Sequence, residues 1–229
     1  EVAQLKLLCD SVFGEENGIA TAIWSGGRKN DSHFISVSHE YLLCYARSKK
    51  TLEEQKRWWR EKKQGLKAIY QKADDLASRD TPDSLGVFQE ASRQLKAWFK
   101  SLPESDPSKA HEHYCWIDTN GVYFPGDSSS PGGGGHRYLV HRPDDVQQRN
   151  PYKVPARGWA YAESTMREML TLTSPAQGLA PTCGIHFGAD SSTVPCAKRY
   201  LKNTEFQAPY SVIYKDGRAA SKTLQAILG

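Results

Sequence analysis

The sequence predicts an α+β protein in three stretches, and three features of its patterning carry that expectation. Residues 1–50 hold one helix-periodic segment followed by two short apolar runs. Residues 51–110 read as helix up to a Pro/Ser-rich end, and from His111 onward the chain turns to short strand-like runs separated by Gly, Asn, Asp and Pro. At 229 residues the chain can form one large domain or two small ones. We place a sheet edge at 1–50, a helical hairpin at 51–110 and a mixed α/β region at 111–229.

The elements follow in order. Glu1 to Phe13 is a helix, with Leu5, Leu8 and Val12 at helical spacing and Gly14 as its stop. Gly18 to Trp24 and Val37 to Ala46 are strands joined by the polar, basic loop Gly26–Ser32; so small a set cannot bury a core of its own and reads as the edge of a larger sheet. Thr51-Leu-Glu-Glu54 has the form of a capping box and predicts a long helix to about Ser78. Thr81-Pro82 starts a second helix, running to about Leu102, with Leu85, Phe88, Leu95, Trp98 and Phe99 as its apolar stripe. Residues 52–72 carry seven Lys/Arg against three Glu, so this hairpin is either a spacer or subunit contact or a basic surface lying on DNA. Pro103–Ala110 is a linker. Tyr114–Asp118 and Val122–Phe124 flank Thr119-Asn-Gly121, a hairpin signal. Glu163-Ser164 lead into a short helix, Thr165–Leu172. Thr193–Leu201 is a mixed segment, Ser211–Tyr214 a strand, Asp216-Gly217 a turn, and Ala219–Leu228 a terminal helix.

Composition bounds the function. A net charge of +4 permits a polyanionic partner without demanding one. Five widely spaced cysteines without a CxxC pair argue against a disulfide framework and for a reducing cytoplasm. No apolar run reaches the ~18 residues of a membrane span, and no signal peptide is present. His111, His113 and Cys115 alternate as ligands on one strand face would, yet no fourth ligand falls at metal-site spacing, so the segment reads as an ordinary strand. The four glycines at 132–135 lack the Lys-Ser/Thr of a nucleotide-binding loop. Ser128–Ser130 with Asp127 and His136 read as turn formers rather than as a hydrolytic set.

The glycine run itself is either a flexible surface loop or a backbone that turns sharply and offers N–H groups to an anion. Its surroundings carry a resemblance. Pro131-Gly-Gly-Gly-Gly-His-Arg-Tyr138 followed by Lys153-Val-Pro-Ala-Arg-Gly-Trp159 resembles the target-recognition region of site-specific adenine-N6 DNA methyltransferases, in particular the modification subunit of type III restriction-modification systems. His186-Phe-Gly-Ala-Asp-Ser-Ser-Thr-Val-Pro195 with Lys198-Arg-Tyr-Leu201, and Ser211–Lys222, agree with it, as do Leu5–Leu8, Phe13–Asn17 and His39–Ala46. The resemblance covers nearly the whole chain in order and is weakest over 51–110. The D-P-P-Y and F-x-G-x-G motifs of such enzymes do not occur here. The resemblance therefore implies an internal segment: the edge of a methyltransferase sheet, a helical hairpin and a target-recognition domain, without catalytic or cofactor-binding residues of its own.

What the resemblance implies about function is a chain that holds double-stranded DNA and selects the site, within a bacterial, cytoplasmic enzyme that uses S-adenosylmethionine and works as a homodimer with a restriction subunit. Arg137, Arg157, Arg199 and Arg218 are the candidates for forking onto guanine or phosphate, and Lys153 and Lys198, with Lys215 and Lys222, for neutralising phosphates. Arg28 and Lys29 in the 26–32 loop would lie near the flipped adenine. Tyr138, Trp159 and Tyr200 sit beside these cations, as stacking partners or as core; for Trp159 and Tyr200 both readings stand. Base readout would fall in the variable parts, 143–152 or 172–184. The alternative is a protein-interaction module that docks a second subunit.

Overall fold

A computed structural model describes residues 1–26, 32–174 and 178–214. In chain order its elements are α1 (Val2–Phe13), β1 (Gly18–Ser25), β2 (His39–Tyr45), α2 (Lys49–Glu54), β3 (Glu61–Lys62), α3 (Leu66–Ala77), α4 (Gln89–Ser101), β4 (Trp116–Asp118), β5 (Gly121–Gly126), α5 (Glu163–Leu170), β6 (Ile185–His186), β7 (Cys196–Tyr200), β8 (Phe206–Gln207) and β9 (Val212–Tyr214). The mixture of helices and separate sheets is α+β, as expected. The chain divides into two compact units, Glu1–Glu61 with Phe206–Gly229 and Lys62–Glu205.

The first unit is a three-stranded sheet ordered β2-β1-β9. β1 and β2 are antiparallel, and β9 runs parallel to β1 with Ile23 opposite Val212 and Ser25 opposite Tyr214. A strand expected as part of the 111–229 region thus completes the first sheet. α1 stops at Gly14, whose φ of +86° an L side chain resists. Its contact with the sheet is polar and aromatic: the Tyr45 hydroxyl donates to Asp10, which Lys6 also pairs, and Phe13 lies 5.6 Å from the Tyr45 ring. No residue of α1 is buried, and Leu5, Leu7, Leu8 and Val12 all remain more than half exposed.

The long helix expected over 51–78 is corrected to two helices. The N-cap is Ser48, whose Oγ accepts the Thr51 N–H at 3.2 Å, so the first helix begins before the supposed capping box. It stops where Lys56 takes φ +52° and the N–H groups of Lys56 and Arg57 close onto the carbonyls of Glu53 and Leu52. That pair of bonds, with a left-handed residue between them, is the Schellman stop. α3 restarts only after Gly65, at φ +81°, because the Pro107–Ser108 backbone occupies the space a Cβ would need.

The second helix is corrected in its start, from Pro82 to Gln89. The Asp83 carboxylate accepts the N–H groups of Leu85 and Val87, and the Phe88 N–H goes to the Ile117 carbonyl, so this stretch is spent on a turn and an edge pairing. Asp80 then caps α4 from a distance by accepting the Ala91 N–H. Of the stripe read at Leu85, Phe88, Leu95, Trp98 and Phe99, all are buried except the half-buried Trp98, although Leu85 and Phe88 precede the helix. Phe88, Leu95 and Phe99 share one core with Leu66, Ile69 and Leu76 of α3 and with Tyr114, Ile117, Val122 and Leu201, and Trp98 packs against it.

That core covers the four-stranded antiparallel sheet β4-β5-β7-β6. Thr119-Asn120 turn β4 into β5, with Asp118 opposite Gly121, the hairpin the Asn-Gly signal predicts. A second core gathers Val140, Trp159, Met166, Cys183 and Ile185 beneath the long irregular segment. At the limits of this unit, the Lys63 N–H meets the Glu205 carbonyl at 2.9 Å and the Lys62 ammonium the Glu205 carboxylate at 3.3 Å. His111 closes a short 3-10 turn instead of entering a strand; its ring reaches the Gln64 carbonyl, while the His113 ring stacks on Tyr114 and Phe124. The alternation of 111, 113 and 115 therefore does not lay those residues on one strand face. Among the described residues no helix is long and apolar enough to cross a membrane.

Candidate nucleic-acid interface

The glycine run is half of a two-armed loop. The Gly135 N–H donates to the Arg157 carbonyl at 3.0 Å, His136 and Trp159 exchange both backbone bonds at 3.0 and 2.7 Å, and the Ser130 N–H reaches the Gly158 carbonyl at 2.9 Å. Two backbones this close leave no room for a side chain. A Cβ on Gly135 would stand 2.6 Å from the Trp159 carbonyl oxygen and 2.8 Å from the Gly158 carbonyl carbon. Gly132, Gly133 and Gly134 are different, since a Cβ on any of them would meet nothing within 4 Å. Gly133 and Gly134 turn the chain at φ +76° and +66°. The run therefore packs at one end and projects at the other.

Three exposed guanidiniums are set by these arms. Arg157 reaches the Pro131 carbonyl at 3.2 Å, the Ser129 hydroxyl at 3.3 Å and the Asp127 carboxylate at 3.4 Å. Arg137 donates to the Ala156 carbonyl at 2.8 Å, and Arg199, on β7, to the Tyr161 hydroxyl at 2.6 Å. Each keeps N–H donors beyond these bonds, because a guanidinium has five. The one ion pair among them, Arg157–Asp127, joins side chains that are 53% and 66% exposed, and exposed pairs of this kind contribute about 0–1 kcal/mol. An incoming phosphate can displace the carboxylate at small cost. Hydrogen bonds from Ser129 hold the Asp127 carboxyl below its ordinary range, so it stays an anion that this exchange must release. Tyr138 is half-buried, stacks on Trp159 at 5.9 Å and donates its hydroxyl to the Tyr161 carbonyl. Lys153 is exposed, and its backbone N–H donates to the Ser191 carbonyl at 2.9 Å.

Two of the residues singled out as DNA contacts are corrected. Trp159 is fully buried, with its indole N–H on the Tyr138 carbonyl at 3.0 Å; it is the floor of the loop. The Lys198 side chain is also fully buried, its ammonium 2.7 Å from Asp118, 2.8 Å from the Thr182 hydroxyl and 4.9 Å from the Tyr123 ring centre. Tyr200, left open between core and stacking, is core: its hydroxyl donates to the same Asp118 oxygen at 2.7 Å, and burial pushes its ionisation above the usual phenol range. The organising residue, Asp118, was not among the candidates. Its Oδ1 accepts the N–H groups of Asn120 and Gly121 while Oδ2 takes Lys198, Tyr200 and Thr182. The Asp-x-Asn-Gly spelling signals the turn half of that role. Nothing local signals the ion pair.

Beside this network the His186 Nδ1 and the Tyr123 hydroxyl share a hydrogen bond of 2.9 Å. Burial, helped by the Lys198 charge, holds its pKa down to about 4. Ser128 is buried and its hydroxyl accepts the Ala197 N–H at 2.8 Å, a structural use. Arg28, Lys29, Arg218, Lys215 and Lys222, with the 216–217 turn and the 219–228 helix, lie outside the described residues.

No family model matches the chain. It is 30% identical over 230 residues to the Mod subunit of the type III restriction-modification enzyme EcoP15I from Escherichia coli, a match covering 99% of this chain and 32% of that subunit. It is 25% identical over 224 residues to the Mod subunit of StyLTI, also a type III restriction-modification enzyme, from Salmonella typhimurium strain LT2, covering 97% of this chain and 25% of that subunit. The chain thus spans a third or less of the length of these relatives. Over nearly its whole length it is related to a segment of the Mod subunits of type III restriction-modification enzymes.

Proposed function

We propose that the chain is the part of a type III Mod subunit that holds double-stranded DNA and selects the methylation site. The observation that carries this reading is the grouping of Arg137 and Arg157 on the 127–138 and 155–161 arms with Arg199 of β7, which bonds to Tyr161, all exposed and bonded to neutral oxygens or a displaceable carboxylate. Exposed guanidiniums held by such bonds suit phosphate positioning, whereas base readout would fall to other segments, for which 143–152 and 172–184 are the candidates. The first unit is then the edge of the methyltransferase sheet, and the parts that bind S-adenosylmethionine and transfer its methyl group lie elsewhere in the enzyme. Titrating this chain with S-adenosylmethionine should give no saturable heat; a micromolar isotherm overturns that assignment.

Binding to duplex DNA measured across a salt series tests the main reading. Arg137→Ala and Arg157→Ala should each weaken binding about equally on all duplexes and reduce the salt slope by roughly one unit. Loss on one sequence alone indicates base readout, and no change in either property removes both arginines from the interface.

The second reading, subunit docking, draws on α1. Leu5, Leu8 and Val12 form an apolar helix face that stays more than half exposed among the described residues, a surface that suits the rest of the subunit or a second copy. The two readings concern different units and are compatible.

A further inference from the structure

Of the six tryptophans, only Trp58 and Trp59 are exposed, each at 54%. They are adjacent, and they leave α2 directly after its Schellman stop. Residues 55–60, Gln-Lys-Arg-Trp-Trp-Arg, carry three cations and no anion. Lys56 adopts a left-handed φ where glycine is the usual residue, so a long cationic side chain is kept at a position that disfavours one. The Trp58 N–H bonds back to the Lys56 carbonyl at 3.0 Å and Arg60 donates to the Trp59 carbonyl at 3.3 Å, so the turn is internally fixed.

Trp and Arg are common at protein–protein contact centres, but Lys is under-represented there. Two adjacent indoles flanked by three cations, with no anion among residues 55–60, match a single-strand nucleic-acid surface, where rings stack on bases and the cations follow the phosphates. We propose that Trp58 and Trp59, with Lys56, Arg57 and Arg60, form a stacking platform for unpaired bases of a DNA strand. This rests on the DNA-binding reading but uses a different unit of the chain from Arg137, Arg157 and Arg199, and a different state of the nucleic acid.

The test compares a fully paired duplex with the same duplex carrying a short mismatched bubble that contains 2-aminopurine. The Trp58→Ala/Trp59→Ala variant should lose at least about fivefold in affinity for the bubble while holding the paired duplex within about twofold, and should no longer perturb the 2-aminopurine emission. Trp58→Tyr/Trp59→Tyr should restore most of the loss. Both indoles are half exposed, so thermal melting should be unchanged; if the alanine variant melts early, Trp58→Leu/Trp59→Leu, which keeps apolar bulk and removes the aromatic faces, carries the comparison, and an undiminished bubble preference in it overturns the proposal. Equal loss on both duplexes overturns it, as does no loss on the bubble, including the case where sedimentation shows that the alanine variant has lost self-association instead. Arg157→Ala separates the two ideas: it should weaken both duplexes alike. If it weakens neither while the tryptophan variant still loses the bubble, the loop reading fails and the platform stands. If wild type binds neither duplex, both fail.

Discussion

At Asp118 one carboxylate accepts five hydrogen bonds, and the ammonium of Lys198 is its one cationic partner among the described residues. Removing one partner of a buried pair strands the other charge, at a cost of about 3–5 kcal/mol. Asp118→Asn should therefore lower the urea midpoint of the second unit sharply, and Lys198→Met in the Asp118→Asn background should recover part of the loss, because no unpaired ion then remains. A Lys198 variant that keeps full stability and loses only DNA affinity would return Lys198 to the interface. His186 gives a pH signature. Its folded pKa of about 4 lies below the ~6.5 of a free imidazole, so between these values the unfolded chain binds a proton that the folded chain refuses. Stability is then full above about pH 6.5 and falls as pH drops toward 4, by up to about 3 kcal/mol. His186→Gln should flatten this window in chemical denaturation at a series of pH values. These roles were poorly legible. Lys198 looked like a DNA contact because cations beside aromatics do look so, and Tyr200 stayed open between core and stacking; the partner they share, Asp118, lies 80 residues before Lys198.

At the scale of elements the glycine run offers a graded series. Gly132→Ala points into open space and should shift stability by no more than about 0.5 kcal/mol. Gly133→Ala adds no clash but forces an L residue to φ +76°, at about 1–2 kcal/mol. Gly135→Ala drives a Cβ into the Trp159 and Gly158 backbone, a crowding of about 1–3 kcal/mol, and by parting the two arms should also weaken DNA binding. Thermal melts of the three variants check the order; equal shifts would mean that the arms are not packed as described. The first helix and β1, β2, β4, β5 and β9 were legible from local apolar runs with glycine or Asn-Gly punctuation, whereas the short β3, β6 and β8 and the strand β7 were not. The middle helices were not, because their limits are set by distant partners: Pro107–Ser108 against Gly65, Ile117 against Phe88, Asp80 to Ala91. A capping-box spelling at Thr51 was outcompeted by a hydroxyl three residues earlier.

For the molecule as a whole, the second unit holds both large cores, all of the four-stranded sheet and the three arginines. Residues 62–205 should therefore fold alone, with a single cooperative urea transition and the salt-dependent duplex affinity of the full chain. A non-cooperative melt would show that the remaining residues contribute to its core. Composition and charge anticipated an α+β, mildly basic chain, but not that the last described strand would return to the first sheet, since a parallel pairing between residues 23–25 and 212–214 leaves no local trace. The closure at Lys62, Lys63 and Glu205 has an evolutionary consequence. A segment whose two ends meet within one hydrogen bond can be cut out and replaced at the level of the gene, because the host sees the same short gap whatever fills it. Recombination at those two points would exchange the whole of residues 62–205 in one event.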